Sequence, residues 1–101
     1  MVVVGTKSNF DSLVREFSVV LVFFHAPWCT VCKSMEPMVE ELGDGDTTVV
    51  KVDVNDEPGL GTRFSISTLP CFLLYKDGEL IDQHLGSISK RNLDKFVLGG
   101  V

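Results

Sequence analysis

Two cysteines three positions apart, Cys29 and Cys32, are the residues of this sequence best suited to carry chemistry. They follow a nearly unbroken apolar run at residues 19–24 and precede a stretch with helical spacing. At a helix N-terminus, free N–H groups and the positive end of the dipole favour a thiolate, the form that attacks a disulfide. A second thiol one turn later can then attack the mixed disulfide. The spacing therefore predicts Cys29 as nucleophile and Cys32 as resolving thiol.

The third cysteine, Cys71, makes the count odd and leaves no complete disulfide framework. A small buried cysteine needs no function, and this is the interpretation we favour. The alternative is a third thiol close to the pair, open to glutathionylation or a mixed disulfide. A zinc site is disfavoured, because no second cysteine pair follows at finger spacing. We expect no metal and no cofactor.

Length and charge narrow the classes of protein. The chain has 101 residues, which fits a single domain over residues 1–101. A formal net charge of −5 argues against partners that are nucleic acids or anionic membranes. The longest apolar run is much shorter than the ~20 residues that span a bilayer, and the N-terminus does not resemble a secretory signal. We expect a cytoplasmic monomer.

The pattern of apolar residues predicts an α/β protein with helices on both faces of a sheet. Short β-branched or alternating runs indicate strands at residues 2–4, 18–25, 48–54, 71–75 and 80–85. Helices are expected after a cap at Thr6 or Ser8, from near Cys29 to about Leu42, from 56 to 62 or 63, and after a cap at Ser87 or Ser89. Pro37 lies inside the second helix and predicts a kink there.

Nearly the whole chain resembles the thioredoxin family. The matching segments are residues 22–29, Pro37, residues 51–55, residues 68–70, residues 76–78 and Gly86. The resemblance implies a thioredoxin fold: three layers, with a mixed five-stranded sheet in the order 1-3-2-4-5 and four helices. It also implies a cis-proline, Pro70, that faces the redox pair.

The same resemblance implies an activity. Members of this family exchange a dithiol with disulfide-containing proteins, and an upstream reductase (thioredoxin reductase or the glutathione system) restores the dithiol. The implied substrate surface consists of Trp28, Leu69, Pro70 and Gly86. Taken alone, Trp28 could be plain core, Pro70 an ordinary trans proline and Gly86 a simple turn residue.

The sequence departs from the family around the pair. Thr30 and Val31 stand where Gly-Pro is usual, so Val31 restores one N–H donor near Cys29 and Thr30 adds a hydroxyl. Phe23 stands where a buried aspartate is usual, which removes a negative charge and a base. Both departures predict a more oxidising couple, and the loss of the aspartate predicts slower resolution.

Two further residues are expected to modulate the pair, His25 and Lys51. We favour His25 as a packed strand-end residue, with a weak base or a thiolate-supporting imidazolium as the alternative. The departures also leave two other functions open. One is a non-catalytic binding module that uses the Trp28 and Pro70 face, and the other is a holder of a metal or cluster.

Overall fold

The computed structural model describes residues 1–99, which form five strands and four helices in the predicted alternating order. The strands β1 to β5 span Val2–Val4, Val19–His25, Thr48–Asp53, Cys71–Lys76 and Glu79–Leu85. The helices α1 to α4 span Phe10–Glu16, Thr30–Glu41, Pro58–Arg63 and Lys90–Leu98. Within these residues, no helix is long and apolar enough to cross a membrane.

The five strands form one mixed sheet in the order β1-β3-β2-β4-β5, as the resemblance implied. The strands β1, β3 and β2 are parallel, whereas β4 runs antiparallel to β2, and β5 to β4. In this arrangement β2 is the central strand and the segment that leads into the cysteine pair. The predicted α/β class and three-layer arrangement are confirmed.

The side chains of β2 are buried on both faces of the sheet, which explains its unbroken apolar run. Phe24 packs in a cluster with Phe10 of α1 and Leu60 of α3. The neighbouring Phe23 points the other way and packs with Met35 of α2 and Leu93 of α4. Helices on each side of the sheet therefore fix the position of β2 and of its C-terminal end, which leads to Cys29.

Local signals explain most element boundaries. Asp77 and Gly78 both have positive φ, 49° and 85°, as the turn between β4 and β5 requires. Ser89 caps α4, because its side chain accepts a hydrogen bond from the N–H of Asn92 at 3.2 Å. Pro58 occupies the first turn of α3, where its missing N–H costs nothing.

The start of α1 and the end of α2 lie close to the predicted positions and differ from them in detail. Helix α1 begins after Asn9, but Thr6 caps the turn that leads into it, as predicted. Oγ1 of Thr6 accepts the N–H of Asn9 at 3.3 Å, and Oδ1 of Asn9 accepts the N–H of Thr6 at 2.7 Å. Helix α2 ends at Glu41, next to the predicted end at about Leu42, and the chain continues as a 3-10 turn, Leu42–Asp44. A Cβ on Gly43 would lie 2.9 Å from the carbonyl oxygen of Met1, so glycine is needed there to let the N-terminus approach.

Candidate active site

Cys29 and Cys32 lie at the junction between β2 and α2, as predicted. Cys29 is the N-cap residue of α2, and its Sγ accepts a hydrogen bond from the N–H of Cys32 at 3.1 Å. The two cysteines form a disulfide with their Cα atoms 5.2 Å apart. Cys29 is half-buried, whereas Cys32 is fully buried. An incoming thiol therefore has access to the outer sulfur, on Cys29, and not to the inner one.

The two spacer residues lie on the exposed first turn of α2. Val31 is exposed, and so is Thr30. In the disulfide form the donor to Cys29 Sγ is the N–H of Cys32, and among the described residues neither spacer residue makes the hydrogen bond to that sulfur that we expected. Cys29 occupies the cap position, and of the two N–H groups a cap can accept from, two and three residues on, its sulfur takes the one three residues on.

Of the residues in the implied substrate site, Trp28 lies on the surface, Leu69 and Gly86 are half-buried, and Pro70 is buried. Trp28 is 66% exposed, so it is not core. The Leu69–Pro70 peptide bond is cis, as the resemblance implied, and Leu69 packs against the cluster that includes Cys32. The carbonyl oxygen of Pro70 accepts the N–H of Gly86 at 2.8 Å. A Cβ on Gly86 would meet only open space, but its φ of +88° favours glycine.

Beneath the pair the environment is apolar. Phe23 is fully buried in the same cluster as Cys32. Its ring stacks between the rings of Phe72 and His25, with both centroid distances 5.3 Å. The side chain at position 23 therefore supplies neither a base nor a negative charge to the pair.

Lys51 makes a charged cluster with two carboxylates that sequence reasoning missed. Its Nζ lies 2.7 Å from Oε2 of Glu40 and 3.4 Å from Oε2 of Glu36, both on α2. Partial burial opposes the charge of Lys51, but the hydrogen bonds and charges of Glu40 and Glu36 outweigh it and raise the pKa of Lys51. The available signal was the helical spacing of Cys32, Glu36 and Glu40, which places all three on one face.

His25 ends β2 and is half-buried beside the cluster. It pairs with Asp53 in the ladder between β2 and β3, and its ring stacks on Phe23. Burial lowers the pKa of His25, although the nearby charge of Asp53 opposes that shift. A neutral ring in a stack fits the interpretation of His25 as a packed strand-end residue.

Cys71 lies on the other face of the sheet from Cys32. It is fully buried and packs in the cluster of Phe24, whereas Cys32 packs in the cluster of Phe23. Burial raises the pKa of the Cys71 thiol, and Nε2 of Gln83, at 3.8 Å from its Sγ, makes only a weak contact. This placement favours a core residue over a third thiol next to the pair. Across residues 1–99, no three Cys, His, Asp or Glu side chains gather as a metal-binding group.

Comparison with known proteins identifies the family. The family model described as Thioredoxin matches residues 1–98. The chain belongs to the thioredoxin family. Its curated relatives include thioredoxin of Staphylococcus saprophyticus, which is 37% identical over 91% of this chain and 90% of the relative. Thioredoxin of Staphylococcus haemolyticus is 38% identical over 87% of this chain and 86% of the relative.

Solved structures give the same family. A mutant thioredoxin from Halobacterium salinarum is 28% identical and superposes with a TM-score of 0.89 over 97% of this chain and 88% of that one. A second chain comes from a structural study of thiol resolution in yeast mitochondrial 1-Cys peroxiredoxin via glutathione/thioredoxin systems. It is 28% identical and superposes with a TM-score of 0.88 over 97% of this chain and 94% of that one. The protein is thus a thioredoxin-type thiol–disulfide oxidoreductase, an enzyme class with disulfide substrates and reductase partners.

Proposed function

We propose that Cys29 and Cys32 are the redox pair with which this enzyme reduces or oxidises protein disulfides. The observation that carries the proposal is the asymmetry of the two sulfurs at the start of α2. Cys29 caps the helix and is half-buried, whereas Cys32 is buried one turn further on. The helix start favours a thiolate on Cys29, which makes it the attacking sulfur.

The reduction of a substrate disulfide then takes two displacements. The Cys29 thiolate attacks one substrate sulfur, forms a mixed disulfide and releases the other substrate sulfur as a thiolate. Cys32 loses its proton and attacks Cys29 Sγ, so the Cys29–Cys32 bond forms and the bond to the substrate breaks. Two electrons pass from the pair to the substrate, whose two sulfurs leave as thiols after taking up protons. A reductase of the thioredoxin reductase type, or the glutathione system, then reduces the pair again.

Four residues next to the pair are proposed to bind the substrate: Trp28, Leu69, Pro70 and Gly86. Their support is an exposed aromatic ring, a proline loop packed beside the Cys32 cluster, and an open glycine bonded to that loop. An extended segment of substrate chain could lie across such a surface. We further propose that the chain works as a single-domain cytoplasmic monomer.

We also propose a more oxidising couple than that of a Gly-Pro thioredoxin, with Thr30, Val31, Phe23, His25 and Lys51 as modulating residues. The support is the apolar ring of Phe23 beneath the pair, which places no negative charge next to the thiolate. A stabilised thiolate favours the reduced form and raises the potential. Equilibration with glutathione measures it, and a potential equal to or below that of a Gly-Pro thioredoxin would refute this part.

The test of the redox function is insulin-disulfide reduction with dithiothreitol as electron source. Wild type is expected to accelerate insulin precipitation, whereas Cys29→Ser and Cys32→Ser should both lose this activity. Cys71→Ser is the matched control, because it removes a thiol on the other face of the sheet. An inactive wild type would instead support a binding module that uses the Trp28 and Pro70 face.

A further inference from the structure

A row of side chains on α2 connects the redox pair to the charged cluster. Cys32, Glu36 and Glu40 are spaced four residues apart, so they lie one above the other on one face of the helix. Lys51 of β3 contacts both carboxylates from the sheet. The row therefore faces the sheet, and it begins at the buried sulfur of Cys32.

The cluster lies beside the position where the family's usual acid is absent. In the ladder between β2 and β3, Lys51 is the partner of Phe23, so both side chains project from the same face of the sheet. Phe23 offers Lys51 no carboxylate, and the ammonium group binds α2 instead. Of the two carboxylates that bind Lys51, Glu36 is the one that lies a single helical turn from Cys32.

The orientation of a helical side chain brings Glu36 toward Cys32. Side chains in an α-helix lean toward its N-terminus and over the preceding turn, which here carries Cys32. Residues four apart have Cβ atoms roughly 5–6 Å from each other, and a general base acts directly or through one water. Oε2 of Glu36 is bonded to Lys51, while its Oε1 has no hydrogen-bond partner among residues 1–99.

We propose that Glu36, positioned by Lys51, accepts the proton of Cys32 in the resolving step. The inference rests on the proposed roles of the two cysteines and assigns the base that this step needs. The Cys32 thiol transfers its proton to Glu36, and the thiolate attacks Cys29 Sγ. The Cys29–Cys32 bond forms, the substrate sulfur leaves as a thiolate, and Glu36 then releases the proton to solvent.

Rapid mixing of the reduced protein with an equimolar aromatic disulfide, dithiobis(nitrobenzoate), separates the two displacements. Each displacement releases one coloured thiolate. The first phase is attack by Cys29 and depends on concentration, whereas the second is attack by Cys32 and does not. Glu36→Gln is expected to slow the second phase by about 100-fold, the scale of a lost general base, and to leave the first unchanged.

Glu40→Gln is the matched control, because Glu40 makes the shorter contact with Lys51, 2.7 Å against 3.4 Å, but lies one turn farther from Cys32. If the cluster had only a structural role, Glu40→Gln would slow the second phase at least as much as Glu36→Gln. The proposal expects normal resolution in Glu40→Gln, and recovery of most of the rate in Glu36→Asp, which keeps the carboxylate.

The proposal would be overturned if the second phase had the same rate in wild type and Glu36→Gln. It would also be overturned if Glu36→Gln and Glu40→Gln slowed that phase equally. Circular dichroism checks that each variant is folded, and Glu36→Ala is judged by the same criteria should Glu36→Gln unfold. If wild type shows no first phase, the proposed redox function fails as well. If instead Glu36→Gln shows both phases at the wild-type rates, only the role of Glu36 fails and the redox function stands.

Discussion

Replacing Phe23 by aspartate tests how the residue beneath the pair sets its chemistry. Phe23 is fully buried, and its ring stacks on Phe72 and His25 at 5.3 Å. Removing such a ring costs about 3–5 kcal/mol, as measured for buried Phe→Ala substitutions. The new carboxylate is next to Lys51, its ladder partner, which offsets much of the cost of burying a charge. The stability loss is therefore expected to be close to that of Phe23→Ala.

Phe23→Asp should change the reduction potential and the insulin turnover, which the loss of packing alone does not explain. A negative charge beneath the pair disfavours the Cys29 thiolate, and every ~1.4 kcal/mol of this effect lowers the potential of the two-electron couple by about 30 mV. The carboxylate also places a second base near Cys32, in addition to Glu36, so insulin turnover should rise. We expect a potential at least about 30 mV below wild type, measured by glutathione equilibration.

Phe23→Ala is the control for this experiment, because it removes the ring without adding a charge. Urea unfolding of both variants measures the packing cost, which should lower the midpoint to a similar extent. If Phe23→Asp matched Phe23→Ala in potential and turnover, the charge at this position would not control the pair. The explanation of the oxidising couple would then be refuted.

Three other predictions follow from single residues. Burial lowers the pKa of His25 below its ordinary 6.5. As the pH falls through 6.5, the unfolded chain therefore binds more protons than the folded one, and the free energy of unfolding decreases. Urea titrations of His25→Gln at several pH values should show a smaller decrease, and an equal decrease would contradict this. Trp28→Ala should raise KM for insulin by about tenfold without changing glutathione exchange, since the ring is an exposed contact; an unchanged KM contradicts this. Mass mapping after brief alkylation of the reduced native protein should find Cys29 modified and Cys71 untouched, because burial raises the pKa of the Cys71 thiol; early labelling of Cys71 contradicts it.

The sequence was sufficient for local features, because these depend on neighbours along the chain. The apolar run before Cys29 predicted a strand buried on both faces, and the structure has β2 there. The residues at 77 and 78 predicted a tight turn, and both adopt positive φ. The strand order came only with the resemblance to a family, because apolar patterning does not state which strands are neighbours.

The spacing of Glu36 and Glu40 on one helix face was visible in the sequence, but their contact with Lys51 could not be predicted, because it depends on the register between β2 and β3. That register brings Lys51 beside Phe23, and only then does its side chain reach Glu36 and Glu40. The face on which Cys71 packs was equally open, because a one-residue shift in β4 would reverse it. The side chains of Thr6 and Asn9 each accept the other's backbone N–H, so the turn capped at Thr6 leads into a helix that begins at Phe10.

The central claim is that Cys29 attacks the substrate and Cys32 resolves the mixed disulfide. Its most direct test is to incubate Cys32→Ser with a disulfide-containing protein such as insulin and map the adduct by mass spectrometry. The account predicts a stable mixed disulfide at Cys29, and none for Cys29→Ser. An adduct at Cys71, or no adduct in Cys32→Ser, would contradict it.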